Sequence, residues 1–573
     1  MVCDPDGVEL APLVIAVTAH RNLVDDEVPR IVDAIRQVFE ELSTKFPQTP
    51  LMLLSPLAEG GGRLAAKVAV EMNIKLLIPL PLRAELYKAD FENAASIEEF
   101  ETLCQHGTVI ELPLRNENTM ESVAVQGPQR DNQYAQLGAF LSSHSQLLLA
   151  IWDGKPSDAV GGTAQVVDYH LTDILPGMTD VEATAQQLLG RDENDLVFHI
   201  VCSRDQANGS TDEPLQPLQT YWITSDQKTP RTKLLPDSNE RVFIRMNEFN
   251  ADAKNLSSKI SKHDGGLMGS SVVARDRDKK INSLFKTADW LANYNQKRVR
   301  AMFQSTYALA VGMGLAFIAY SDLQSQNYMI YVFLSLFGVG LVIYLIAERG
   351  QWHRKYVDYR ALAEGLRVQF YWQLAGVSSG TETQFAHDNF LQKQDIELGW
   401  IRNVMRAGSI SSDTAPSPSD GLDEAIRHWL EEEPTGQLDY YRDTAVERER
   451  LVLITRGIGM ACLWSGIAVA IILAFFHNEL PDETHDPLIV LMGVLPLIAA
   501  VRAAYAHKKA DKELIRQYRF MERIFANAKR QLDNAKSDRE KRAILKTLGD
   551  AALDEHAEWI LMHRERPLEH GSL

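Results

Sequence analysis

Three consecutive glycines, Gly60, Gly61 and Gly62, stand between Ser55 and Glu59 on one side and Arg63 on the other, just after the apolar run LMLL at 51–54. Glycine lets a backbone approach a ligand closely, and a helix starting behind such a loop presents unpaired N–H groups and a partial positive charge. The chemistry that suits both is phosphate binding. Arg63 could pair with a phosphate oxygen or with Glu59, and Glu59 could accept from a ribose hydroxyl or work as an acid–base group. A second loop repeats the build: Gly161, Gly162 and Thr163 precede a helical pattern that begins near Ala164, with Thr163 as hydroxyl donor or cap. Thr18, His20 and Arg21 close the apolar run at 13–18, and Asp153 and Gly154 close the run QLLLAIW. Polar residues at the carboxyl ends of strands mark the edge where open α/β sheets bind ligands. Each has a plainer alternative. The glycines could make tight turns, Arg21 could pair with Glu59 or Asp153, His20 could be an ordinary loop histidine, and Trp152 suits the core better than a base-stacking platform. The cysteines, Cys3, Cys104, Cys202 and Cys462, show no metal-ligand or CxxC spacing, so a reduced cytoplasmic setting and no metal are expected. No residue is assigned a catalytic role.

The elements that must position these residues alternate. Strands over 13–18, 51–54, 76–80, 109–112, 146–153 and 196–202 are separated by helical patterns over 28–42, 64–72, 96–103 and 131–143 and one starting near 164. That alternation predicts an α/β domain over 1–210 built from strand–helix–strand crossovers. A polar, weakly patterned stretch over 211–280 reads as an extension or connector. With 573 residues the chain exceeds one ordinary core. Its formal charge of −18 argues against direct nucleic-acid binding.

Beyond 280 the character changes. Uncharged or nearly uncharged apolar runs over 304–320, 328–347, 457–476 and 487–506 are each close to the ~20 helical residues that cross a bilayer's hydrocarbon core. They form two hairpins, one in a segment over 281–400 and one over 436–573, joined by a Ser/Pro/Asp-rich linker within 401–435. Lys297, Arg298, Arg300, Arg349, Arg354, Lys355, Arg442, Arg448, Arg450, Arg456, Lys508, Lys509 and Lys512 flank the runs, and the short hairpin loops hold no Lys or Arg. By the positive-inside rule both termini are cytoplasmic. The opening residues lack a secretory pattern, so the amino-terminal domain is expected to stay where it is made. Long charged helical patterns follow each hairpin, with Tyr359-Arg360 and Tyr518-Arg519 in similar places, which suggests a duplicated helix–hairpin–helix module. Arg360, Glu364 and Arg367 have the spacing of a helix with an internal ion pair. Arg502 could snorkel or line a pore, and Gly312, Gly314, Ala316, Gly338 and Gly340 offer close helix contacts.

In order and spacing, Thr18-Ala19-His20-Arg21, the stretch from Leu54 to Leu64, Pro79-Leu80-Pro81 with Tyr87 and Phe91, Gln133-Tyr134, and Trp152-Asp153-Gly154 with Gly161-Gly162-Thr163 resemble the SLOG superfamily, the nucleotide-binding domains related to DprA and the LOG phosphoribohydrolases. The double-span pattern and the stretch from Tyr359 to Phe370 look like the SLATT type of helical hairpin domain. The resemblance implies a Rossmann-like domain that binds a nucleotide or nucleotide-derived signal through Thr18, His20, Arg21, Ser55, Glu59, Gly60, Gly61, Gly62, Arg63, Asp153, Gly154, Gly161, Gly162 and Thr163. It also implies a homo-oligomeric membrane effector of bacterial antiviral defence, multi-pass in the inner membrane, with a partner protein that makes the signal. Ala19 and Gly62 depart from the family's usual glycine and acidic residue. The LOG enzymes carry PGGxGTxxE, and here Val166 holds the glutamate's place beside Gln165; a neutral amide is no general base. The expectation is therefore a ligand-gated effector that permeabilises the membrane. The alternatives are a membrane-anchored nucleotide N-glycosidase and a membrane-tethered nucleotide-binding scaffold.

Overall fold

The computed structural model describes residues 2–3, 7–115, 118–157, 159–172, 195–225, 230–267, 276–322, 327–377, 390–391, 395–410, 419–431, 436–476, 481–508 and 511–564. Two compact units divide the chain: Met1–Leu291, Arg360–Ala425 and His556–Leu561 form the first, and Ala292–Tyr359, Ile426–Glu555 and Met562–Leu573 the second.

The first unit is built on an eight-stranded sheet. Its strands are β1 (Leu13–Ala19), β2 (Leu51–Leu54), β3 (Lys75–Leu80), β4 (Gly107–Glu111), β5 (Leu147–Trp152), β6 (Leu196–Val201), β7 (Thr220–Thr224) and β8 (Arg231–Thr232), in the order β8-β7-β6-β5-β1-β2-β3-β4. The pairs from β6 to β4 are parallel, and β7 and β8 add antiparallel strands at one edge. β1, β2, β5 and β6 are buried nearly throughout, as expected for parallel strands covered on both faces, whose sequences read as continuous apolar runs. The helices between them are α1 (Val28–Lys45), α2 (Gly61–Glu71), α3 (Ala94–Gln105), α4 (Pro128–His144) and α5 (Thr163–Thr172). Helix α1 buries Ile31, Ile35, Val38, Phe39 and Leu42, one stripe at helical spacing.

This unit does not stop at 210. Within the stretch read as a connector lie β7, β8 and α6 (Asp237–Asn255). The Asn250 amide of α6 exchanges hydrogen bonds of 2.9 Å with both backbone groups of Ala11, and Phe243 packs edge-on against Phe46 at 5.6 Å. Helix α10 (Gly399–Ser409), which straddles the expected boundary at 401, is buried in the same unit, and Ala407 and Ile410 belong to the core beneath the sheet. The remainder of the expected linker at 411–418 and 432–435 lies outside the described residues, as do 323–326 and 477–480 of the hairpin loops and Lys509.

The second unit is helical. The chain contains α7 (Asp276–Asp322), α8 (Met329–Arg349), α9 (Trp352–Ala375), α11 (Gln437–Phe476), α12 (Asp482–Lys508), α13 (Asp511–Asn534) and α14 (Asp538–Arg564). Among the described residues four helical stretches are long and apolar enough to cross a membrane, and at most 11% of their most apolar windows is buried. Leu334, Phe337, Trp464 and Phe475 are among the large apolar residues left exposed, as contact with a bilayer requires. Small residues bring the spans together. A Cβ on Gly466 would meet Pro496 Cδ at 2.8 Å, one on Gly493 would meet Ile318 Cδ1 at 3.0 Å, and one on Gly314 would overlap Leu497. Gly338, by contrast, has nothing within 4 Å.

The two helical modules share a cross-link. Arg360 Nη1 donates to Asp289 Oδ1 at 3.0 Å, 71 residues back, and Arg519 Nε donates to Glu449 Oε1 at 3.2 Å, 70 residues back. In each case the helix after a hairpin is tied to the helix before it by the arginine of a Tyr-Arg pair, which supports the duplication. Glu364 bridges Arg360 and Arg367, so these charges serve each other.

Candidate functional site

The site is set by the point where the sheet changes direction. From β1 the chain steps outward through β2, β3 and β4, then returns to β5 on the other side of β1 and continues to β6. The loops leaving β1 and β5 therefore part, and such a switch point opens a crevice at the carboxyl ends of the strands. Register decides what faces it. Ala19 pairs with Ile151, and the His20 N–H donates to the Ile151 carbonyl at 3.0 Å. His20 Nε2 thereby stands 3.1 Å from Asp153 Oδ1, close enough for an ion pair, though not aligned as a hydrogen bond. Asp153 is 4% exposed and also accepts from the Lys155 N–H at 3.1 Å. Burial alone would raise its pKa; His20, the Lys155 N–H and the Arg204 charge outweigh burial and hold it below the usual carboxylate range.

The crevice is a cleft of about 660 Å³ and brings together Thr18, His20, Arg21, Gly62, Asp153, Gly161, Gly162 and Thr163. Glu59, Gly60 and Arg63 line a neighbouring depression of about 570 Å³, which Arg21 shares. Ser55, Gly61 and Gly154 line neither.

The two glycine loops do different work. Gly60 has φ +79°, and a Cβ there would overlap the carbonyls of Arg21 and His20. The Gly61 N–H donates to the His20 carbonyl at 3.2 Å, and the Arg63 and Leu64 N–H groups donate to the Gly60 carbonyl at 3.1 and 3.2 Å. The Gly61 N–H of α2 is thus tied to the loop after β1, and the Arg63 and Leu64 N–H groups turn back to Gly60 in their own loop, so these three are not open to a phosphate. The Ser55 hydroxyl donates to the Gly62 carbonyl at 2.9 Å and accepts from the Leu57 N–H at 3.2 Å. Arg63 is 3% exposed and donates to the Leu57 carbonyl, Ser96 and Glu99. Glu59 accepts from the Glu92 N–H at 3.0 Å and from the Ser96 hydroxyl. Gly154 has φ +86° and leaves no room for a side chain beside Leu215. These residues hold the loops in shape.

At the second loop, Gly161 has φ +73° and lies against the Tyr134 backbone. Its N–H donates to Gln165 Oε1 at 2.6 Å, and the Gly162 N–H donates to the Ala159 carbonyl at 3.0 Å. Gln165, at the place adjoining the enzymes' missing glutamate, thus clasps the loop. Among the described residues, the N–H groups of Thr163, Ala164 and Gln165 meet no acceptor, and Thr163 and Ala164 line the cleft. This is the open helix N-terminus.

Further residues that line the cleft include Tyr87, Asp90, Lys155 and Arg204. Lys155 and Arg204 follow the ends of β5 and β6, so the rule that selects His20, Arg21 and Asp153 would have reached them too. Lys155 Nζ donates to the Asn208 carbonyl at 3.1 Å and lies 3.4 Å from the Ser210 hydroxyl. Among the described residues, Arg21, Lys155 and Arg204 form no ion pair with a carboxylate. Burial opposes the Arg21 charge, yet Tyr87, a hydrogen bond with Tyr134, and Asp90 raise its pKa overall. Asp90 is occupied by Arg130 Nη2 at 2.6 Å, by Gln126 at 3.0 Å and by the Tyr134 hydroxyl. Among the described residues no cluster of three or more His, Cys, Asp or Glu could hold a metal ion.

Two expected results arise here. If the cleft takes an anion, Glu59→Ala should leave that binding within about twofold of wild type by titration calorimetry, because its carboxylate is held by backbone and Ser96 outside that cleft. His199 supports the cleft from behind, its Nε2 3.0 Å from the Trp152 carbonyl. Burial pushes its pKa down to about 4, and burial does the same to His144. An imidazole disfavoured as a cation by the fold stabilises fully above the unfolded value near 6.5, and this is lost as pH falls toward 4. Thermal scans of the full chain in detergent should show the midpoint falling over that window, less steeply in His199→Asn.

No family model matches the chain, and neither curated proteins nor solved structures provide a match.

Proposed function

We propose that this chain is a receptor in a bacterial inner membrane, whose cleft binds a nucleotide or nucleotide-derived anion and whose four spans change the membrane's permeability in response. The observation that carries this reading is the convergence of Arg21, Lys155 and Arg204, none paired with a carboxylate among the described residues, on a cleft that also receives the open N-terminus of α5. Three cations without a direct carboxylate partner, beside N–H groups that meet no acceptor among the described residues, favour a ligand with several negative charges. The switch-point position is where Rossmann-like sheets hold nucleotides. The SLOG and SLATT resemblances agree with that chemistry and with exposed apolar spans. On this reading both termini are cytoplasmic, subunits assemble around the conducting path, and a partner protein makes the signal during antiviral defence. A ligand can drive such a response only by binding one state of the membrane part more tightly than the other.

The test is titration calorimetry of the purified chain with nucleotides, alongside mass spectrometry of small molecules that co-purify with it. Sub-millimolar binding that weakens with salt is expected. Absence of binding by every nucleotide, with nothing co-purifying, would overturn the reading.

One observation favours a second reading, nucleotide hydrolysis. His20 lines the cleft with its Nε2 3.1 Å from Asp153 Oδ1, an imidazole beside a carboxylate, from which a general base could work. Release of free base from nucleotides or NAD by wild type but not by His20→Ala would replace sensor by enzyme.

A further inference from the structure

Tyr87 sits in the short helix Ala84–Lys88 and is 0% exposed. Its ring packs against Phe91 at 5.1 Å, Phe100 at 5.9 Å and Tyr134 at 6.3 Å. Phenylalanine would serve that packing as well. The hydroxyl, however, is buried and has no hydrogen-bond partner among the described residues, although Tyr87 lines the cleft. A buried hydroxyl without a partner is destabilising, and folded proteins rarely leave one so.

The surroundings explain why nothing in the free protein takes the proton. Asp90 already accepts from Arg130, Gln126 and the Tyr134 hydroxyl. Arg21, which is charge-coupled to Tyr87 and Tyr134, can only donate. Burial raises the Tyr87 pKa, so the phenol keeps its proton and remains a donor. Two donors, the phenol and the guanidinium, therefore adjoin the cleft; Arg21 has the Tyr134 hydroxyl oxygen as a partner, and the phenol has no acceptor among the described residues.

We infer that Tyr87 is a specificity-determining residue of the cleft, donating with Arg21 to a phosphoryl oxygen of the bound anion. This rests on the anion-binding reading of the cleft. The energy lost by leaving the hydroxyl unpaired in the free protein is recovered on binding, so ligands with no oxygen at that place are rejected.

The test uses Tyr87→Phe in the full chain in detergent, with ADP and inorganic pyrophosphate as probes in calorimetry and thermal scans of the ligand-free protein. The expected result is about 10- to 100-fold weaker binding of the tighter probe, the range for a hydrogen bond to a charged group, with a ligand-free midpoint at or above wild type. Equal affinity in Tyr87→Phe while wild type binds would overturn this inference and leave the anion site standing. A lower ligand-free midpoint would also overturn it, since the hydroxyl would then have a partner without ligand. If wild type binds neither probe, the anion reading fails and this inference falls with it.

Discussion

Replacing Lys155 and Arg204 together by alanine should weaken binding of a nucleotide-type anion by about 10²- to 10⁴-fold, from the ~1.5–3 kcal/mol typical of each hydrogen bond to a charged group. The two single losses need not sum to the double. The fold itself should hardly notice. Among the described residues neither cation pairs directly with a carboxylate, and Asp153, which feels the Arg204 charge, keeps His20 and the backbone N–H of residue 155, so thermal midpoints should stay near wild type. Calorimetry and thermal scans of the same preparations check both halves. A parallel fall in stability would mean that these side chains hold the loops after β5 and β6 rather than a ligand. The slope of binding against salt should also flatten in the double variant, since fewer charges meet the anion.

The largest effect on stability is expected at Arg406, far from the cleft. Arg406 Nη1 lies 3.1 Å from Asp195 Oδ1, with the two side chains 8% and 4% exposed, and 3.3 Å from the Ser145 carbonyl. Beside it the Gln146 amide accepts from the Val14 N–H at 2.5 Å and donates to the Asn403 carbonyl at 2.9 Å. These links tie α10 to the amino-terminal side of the sheet. Arg406→Ala takes the guanidinium from beside the buried Asp195 carboxylate, and breaking a buried pair costs about 3–5 kcal/mol. Arg406→Ala combined with Asp195→Asn should recover part of that loss, because the group that lost its cation is then neutral. Denaturation midpoints of the two variants measure the difference.

Sequence reading succeeded where structure is local and failed where it depends on distant chain. β1, β2, β5 and β6 are legible because strands buried on both faces read as unbroken apolar runs such as LMLL and QLLLAIW, whereas β4 buries only Ile110. The four spans are legible for a similar reason, length and apolarity. β7 lies in a polar stretch and buries only Trp222 and Ile223 fully, so its pattern is faint. α10 carries Arg402, Asn403 and Arg406, and nothing nearby in sequence shows that Asp195 will pair with Arg406 or that the Gln146 amide will donate to the Asn403 carbonyl. It reads as the start of a linker and is in fact core.

The glycine loops show the same limit at the site. By composition, Gly60-Gly61-Gly62 and Gly161-Gly162-Thr163 are alike. What separates them is whether another backbone reaches the helix start first. The His20 carbonyl reaches Gly61, whereas the start of α5 remains open toward the cleft. Glu59 and Arg63 have acidic and basic chemistry suited to a ligand, yet each is satisfied within its own loop and α3. Tyr87 is visible in the sequence only as an aromatic; its unpaired hydroxyl is a property of the packed fold.

Leakage from dye-loaded liposomes tests directly the proposed link between anion binding in the cleft and the membrane spans. The purified chain is reconstituted, and a fractionated nucleotide extract is added to wild type and to the Lys155→Ala, Arg204→Ala double variant. Leakage from wild-type liposomes that begins on addition, depends on dose and is abolished in the double variant is the predicted result. Wild-type protein that binds a nucleotide in calorimetry and yet releases no dye at saturating concentration would contradict it.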